Sequence, residues 1–162
     1  MSPIYESEED RKNEEEIIKT ILSVNRDGLS YRKMPMSYRM DYSITEGDGS
    51  FPKVIAFVEV KDKRSFKPQY KNILCSTAKW QSMVMTYVST SVPCWYAVRI
   101  SCGGIGVIQA GARHHPFEVR YGGRTDRGDP EDQHPCVLIP VEKFRKPINI
   151  FEEEEPWKQK KE

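Results

Sequence analysis

Glu59 and Lys61 stand two residues apart inside the otherwise apolar run FVEVKDK, and Asp41 lies 18 positions before Glu59. Side chains alternate between the two faces of a strand, so Glu59 and Lys61 share one face while Val54, Ala56, Val58 and Val60 share the other. An acid and a base held rigidly on one side of a sheet can orient a charged substrate or move a proton. A second carboxylate beside them would make a seat for a hard cation.

Asp41 is placed to be that carboxylate. The turn-rich patch TEGDGSFP separates YRMDYSI from KVIAFVEVK, and two β-rich runs around such a patch predict a hairpin. Folding the chain about Ser50 sets Asp41 opposite Glu59 on the same face, with Lys61 one pleat further along. Two carboxylates so close raise one another's pKa unless a cation lies between them. Mg²⁺ takes one or two carboxylates and leaves its other positions to waters and substrate phosphate oxygens. The ammonium of Lys61 would then orient or deprotonate a water, or hold the scissile phosphate, which suits hydrolysis of a phosphodiester.

Several elements must position these residues. Ile17, Ile18, Ile21 and Leu22 recur at helical spacing, predicting a first helix from Glu8 to about Asn25, with Gly28 beyond its end. LSYRKMP, YRMDYSI and KVIAFVEVK read as three strands. Ile73, Leu74, Thr77, Trp80, Val84, Tyr87 and Val88 trace one face of a long second helix from about Lys67 to Ser89. VPCWYAVRIS and GIGVIQA are two more strands. The Gly-, Arg- and Pro-rich segment 111–135 reads as an excursion with one strand at FEVRY, and CVLIPVEKF as a final strand. The expectation is an α+β domain over residues 8–150, with an acidic tail at 1–7 and a charged, disordered tail at 151–162.

Asp41, the turn and the Glu59-Val60-Lys61 triplet in an apolar strand together resemble the PD-(D/E)xK nuclease superfamily, which includes restriction enzymes, Holliday-junction resolvases, RecB-type nuclease domains and VRR-NUC domains. The likeness covers about Glu8 to Ile108. It implies a restriction-endonuclease-like αβββαβ core, a mixed central sheet flanked by helices. It also implies DNA as substrate and Mg²⁺ as cofactor, with Mn²⁺ able to substitute. Asp41, Glu59 and the Val60 carbonyl would hold the metal and Lys61 would serve the attacking water. Members often add a glutamate from the first helix. Glu14 shares a face with Ile17, Ile18 and Ile21 and is preferred, ahead of Glu15 and Glu16. RecB-like members carry a glutamine on the helix after this strand, here Gln81, which is expected on the apolar face with Thr77, Val84 and Val88. Met40 replaces the family's proline.

Charge is segregated along the chain. Seven acids lie in 6–16 and five in 152–162, so residues 17–150 carry 20 Lys and Arg against 12 Asp and Glu. A basic core favours a polyanionic partner. Arg39, Lys53, Lys63, Arg64, Lys67, Lys71 and Lys79 are the expected phosphate contacts, weighed against plain solvated decoration. A surface ion pair is the bland alternative for Glu59 and Lys61. Four cysteines without CxxC spacing read as buried thiols, and His114, His115 and His134 follow no zinc pattern. There is no run of 18 apolar residues and no basic, apolar leader, so a soluble, cytoplasmic protein is expected, with no membrane partner. Small enzymes of this family are common in phage, and one that cuts both strands would act as a homodimer. The competing class is a nuclease-fold module that binds nucleic acid or protein without cleaving.

Overall fold

The computed structural model describes residues 7–63, 70–100, 104–114, 116–126 and 128–152. Helix α1 (Glu8–Ser23) starts where the pattern predicts. Ser7 caps it by accepting the Asp10 N–H at 3.1 Å, while the Asp10 carboxylate accepts the Ser7 N–H at 3.0 Å. That reciprocal capping satisfies two amides that the helix leaves open. Its inner stripe is Ile17, Ile18 and Ile21, all fully buried.

Strands β1 (Leu29–Lys33), β2 (Tyr42–Glu46), β3 (Lys53–Lys63), β5 (Cys94–Ile100) and β6 (Ile105–Ala110) form a five-stranded sheet in the order β1-β2-β3-β5-β6. Only the β3–β5 pair is parallel, so the sheet is mixed. A second, antiparallel sheet of β4 (Asn72–Ser76), β8 (Gln133–Pro140) and β7 (Val119–Gly123) lies with helix α2 (Thr77–Thr90) against one face of the first. Helix α1 covers the other face, together with Ile150 and Phe151. A strand buried on both sides follows at the centre: Ala56, Val58 and Val60 enter the α1 core, and Phe57 packs on the α2 side.

The second helix is shorter than periodicity predicts. Asn72–Ser76 is an edge strand, and the helix begins at Thr77. A five-residue apolar run carries too little pattern to separate strand from helix. What decides it is pairing with β8, about sixty residues later, through Ile73–Ile139 and Cys75–Val137. The excursion over 111–135 contributes β7, two residues further along the chain than FEVRY. One of its glycines has a local cause: Gly123 has φ +123°, and a Cβ there would collide with the Asp132 carbonyl oxygen. The first-sheet core reaches one residue beyond the expected boundary, since Phe151 is buried, while 1–6 and 153–162 lie outside the described residues. Cys75, Cys94 and Cys136 are buried free thiols, and Cys102 lies outside the described residues.

Candidate active site

The hairpin holds the expected register. Tyr42 faces Val58 and Ile44 faces Ala56, so continuing one step beyond β2 sets Asp41 against Glu59. A bulge between Ile44 and Thr45 takes up the irregularity nearer the turn. Asp41 is tied down twice: its backbone carbonyl accepts the Met34 N–H at 2.7 Å, and its Oδ2 accepts the Val60 N–H at 2.8 Å. Met40, at the position of the family's proline, is buried in the α2-side core and anchors the segment.

Glu59 is the anomaly of the core. Its side chain is 2 % exposed, it points to the α2 side, and its Oε2 has no hydrogen-bond partner among the described residues. Its Oε1 accepts the Lys79 ammonium, which reaches in from the first turn of α2. Burial pushes the Glu59 carboxyl up to about 7, the Asp41 charge pushes in the same direction, and Lys79 only partly opposes them. Lys79 is shifted the opposite way to an ordinary buried lysine. Burial lowers its pKa, but the charge and hydrogen bond of Glu59, with the charge of Asp41, outweigh burial and raise it. Lys61 follows Glu59 on the same face and is exposed at the surface.

A second group gathers on the α1 side. Lys33 is 3.2 Å from Glu14 and 3.9 Å from Asp41, with its ammonium 5.0 Å from the centroid of the Tyr42 ring. Burial raises the Tyr42 phenol, and the charges of Glu14 and Asp41 add to that. Of the three candidate glutamates Glu14 is the most covered, at 19 % against 46 % for Glu15 and 62 % for Glu16. Glu15 accepts the Tyr31 hydroxyl at 2.5 Å, and Glu16 reaches Arg99. Glu14 therefore faces Asp41 through Lys33.

The structure brings together Asp41, Glu59, the Val60 amide and Lys61, and sets Glu14 on the far side of Asp41. Asp41 sits where the two faces of the sheet meet, Glu14 coming from α1 and Glu59 pointing to α2. Among the described residues, no three of His, Cys, Asp and Glu converge as a metal-holding group. The fit to a cation rests instead on two carboxylates, one of them carrying an unpartnered buried oxygen.

The expected place of Gln81 is corrected. Gln81 is exposed, because the buried face of α2 centres on Met83 and not on Thr77 and Val88; Val88 is itself exposed. Lys79, expected as a phosphate contact, pairs with Glu59 instead; it precedes Met83 by four residues and shares its inward face, the signal that could have separated it from the other lysines. Lys53 opens β3 opposite Glu46, six residues from Glu59, so it lies about 20 Å along the strand from the acids. Lys63 is half-buried and donates to the Leu74 carbonyl at 3.0 Å. Arg39 and Lys71 are exposed, whereas Arg64 and Lys67 lie outside the described residues. Lys33 carries no mark in the sequence, since its place depends on the pairing of β1 with β2.

Two solved structures are similar in outline. A Holliday junction resolvase, Hjc, from the archaeal hyperthermophile Archaeoglobus fulgidus aligns over 86 % of this chain and 93 % of its own at 11 % identity, with a TM-score of 0.48. D212, a nuclease from a fusselovirus, aligns over 90 % of each chain at 9 % identity, with a TM-score of 0.49. No curated protein matches by sequence. The model of the family described as "Phage putative PDDEXK endonuclease" matches residues 1–147, so most of the chain is covered, the Asp41–Glu59–Lys61 constellation included; the chain belongs to that nuclease family.

Proposed function

We propose that this protein is a Mg²⁺-dependent nuclease that hydrolyses DNA phosphodiesters, and that Mn²⁺ substitutes for Mg²⁺. The observation that carries the reading is Glu59: a buried carboxylate with an orphaned oxygen, set across the hairpin from Asp41 and one pleat from an exposed lysine. Burying such an acid costs several kcal/mol, on the order of the ion penalties known for protein interiors, unless a cation or proton compensates it. Asp41 and Glu59, with the Val60 carbonyl, would hold the ion, and Glu14 would support Asp41 from α1. The ion would supply electrophilic polarisation of a phosphate oxygen and a more acidic water. Lys61 orients the attacking water and takes or shares its proton. The Val60 N–H fixes Asp41 through its Oδ2, and its Oδ1 lies 3.9 Å from the Lys33 ammonium. Arg39 and Lys71, both exposed, are suited to contact the DNA backbone. Action in the host cytoplasm and a homodimeric form belong to the same proposal.

Purified protein should nick or degrade DNA with Mg²⁺ or Mn²⁺, and Lys61→Ala or Glu59→Ala should abolish this. Cleavage that survives in both variants overturns the mechanism. A panel of end-labelled linear, circular, flap and junction DNAs separates endonuclease from exonuclease action. The second reading, a module that binds without cutting, draws on one observation: lysines already lie within ion-pair distance of both Asp41 and Glu59. Tight DNA binding with no cleavage by any divalent ion, and no Mg²⁺ affinity that Asp41→Asn removes, would favour it.

A further inference from the structure

We propose that Lys79 is an internal counter-ion of Glu59 which the divalent cation must displace, so that metal binding and release of this lysine are one event. The inference rests on the metal-dependent reading above. Lys79 meets only Oε1 of Glu59 and leaves Oε2 without a partner among the described residues. A single ammonium therefore compensates the buried carboxylate incompletely, whereas a divalent ion carries twice the charge and can draw on both Glu59 and Asp41. The two partners also differ in mobility. The Glu59 side chain is almost wholly buried, but that of Lys79 is 40 % exposed. A flexible four-carbon stem can swing its ammonium into solvent without opening the core.

The position of Lys79 is unfavourable on local grounds. It lies in the first turn of α2, which holds no acidic residue and whose Ser76 makes no capping hydrogen bond with its side chain. The positive end of a helix disfavours a cation there, so the local helix does not account for this lysine. Its counter-charges, Glu59 and Asp41, both lie in the proposed metal site. Lys33 performs the analogous service for Asp41 and Glu14 from the other side of the sheet.

The test follows the Lys79 amine in the full-length protein. Mg²⁺ affinity is measured by calorimetry, and amine acetylation at Lys79 is followed by mass spectrometry with and without saturating Mg²⁺. Expected are measurable Mg²⁺ binding and a rise in Lys79 labelling on saturation, while Lys143, remote in sequence and exposed, stays constant. Lys79→Gln should bind Mg²⁺ on the order of tenfold more tightly, the scale of one charge-assisted hydrogen bond removed from the competitor. Mg²⁺ binding with unchanged Lys79 labelling, and no gain in Lys79→Gln, overturns the displacement and leaves the metal reading standing. No Mg²⁺ binding in either protein overturns both.

Discussion

The two ends of β3 carry ion pairs of opposite character. Near the turn, Lys53 faces Glu46 across the hairpin, and Glu46 takes Arg26 at 2.8 Å with both side chains about one-third exposed. Glu46 is lowered by its hydrogen bonds to Arg26, as a solvated acid beside a guanidinium should be. Eleven residues make up the strand, and toward its other end Glu59 is buried, raised, and half satisfied. Surface pairs contribute between nothing and about 1 kcal/mol, whereas a buried pair struggles to recover its desolvation. An acid kept at the second kind of place is poor material for stability. Its retention there fits a group held ready for chemistry.

That contrast is broken most sharply by activity. Lys61→Ala should lower DNA cleavage by about 10²–10⁴-fold, the usual worth of a proton-handling side chain, while DNA binding falls little. A parallel gel-shift and nicking assay checks both; loss of binding equal to loss of cleavage would return Lys61 to the status of a phosphate contact.

The next largest effect is on folding. Lys79→Met strands the Glu59 carboxylate and should cost about 2 kcal/mol near neutral pH in the absence of metal, below the value for a wholly buried pair because Lys79 is partly exposed. For a domain of this size that is a fall in Tm of about 5 °C. Glu59→Gln in the same background should restore part of it, because no charge is then left unpaired. Calorimetry of the single and double variants measures the coupling.

A smaller effect lies in pH. Burial holds Lys63 down at about 8, with Lys61 adding repulsion, against about 10.4 in an unfolded chain. Between those values the unfolded chain holds more protons, so stability should climb as pH rises from about 8 to 10. Lys63→Met should flatten that slope in a thermal scan. Smallest of all, Arg26→Met, which removes the Glu46 pair and a 3.3 Å bond to the Phe151 carbonyl, should lower Tm only slightly, and salt should weaken the pair's share of that. A loss of several kcal/mol would mean that the two ends of β3 are not different in kind.

Much of this site is readable in the chain because it is local. The turn patch sets the hairpin, the hairpin sets Asp41 opposite Glu59, and strand alternation sets Lys61 beside them; the observed pairing of Tyr42 with Val58 follows that arithmetic. Helix α1 is equally local, with its Ser7–Asp10 cap and its isoleucine stripe. The errors share a cause as well. β4 becomes a strand only because β8 arrives beside it, and the loss of those residues from α2 moves the helix start to Thr77. Trp80, Val84 and Tyr87 of the expected face do pack on the core, but Gln81 and Val88 are turned to solvent and Lys79 turns inward. The basic residues gather in sequence around the acids, but in space they separate into an exposed Lys53 far along the strand, a half-buried Lys63 and an inward Lys79.

Sequence by itself determined the family, the order of the first strands and the acid–acid–lysine hairpin, because period-2 alternation and a compact turn depend only on neighbours along the chain. Tertiary structure alone decided the electrostatic surroundings of that hairpin. Packing of α2 buries Glu59, the register of β1 brings Lys33 between Glu14 and Asp41, and the placement of Lys79 gives Glu59 its partner. Desolvation and the distances between charges depend on which elements meet, and no spacing along the chain encodes them.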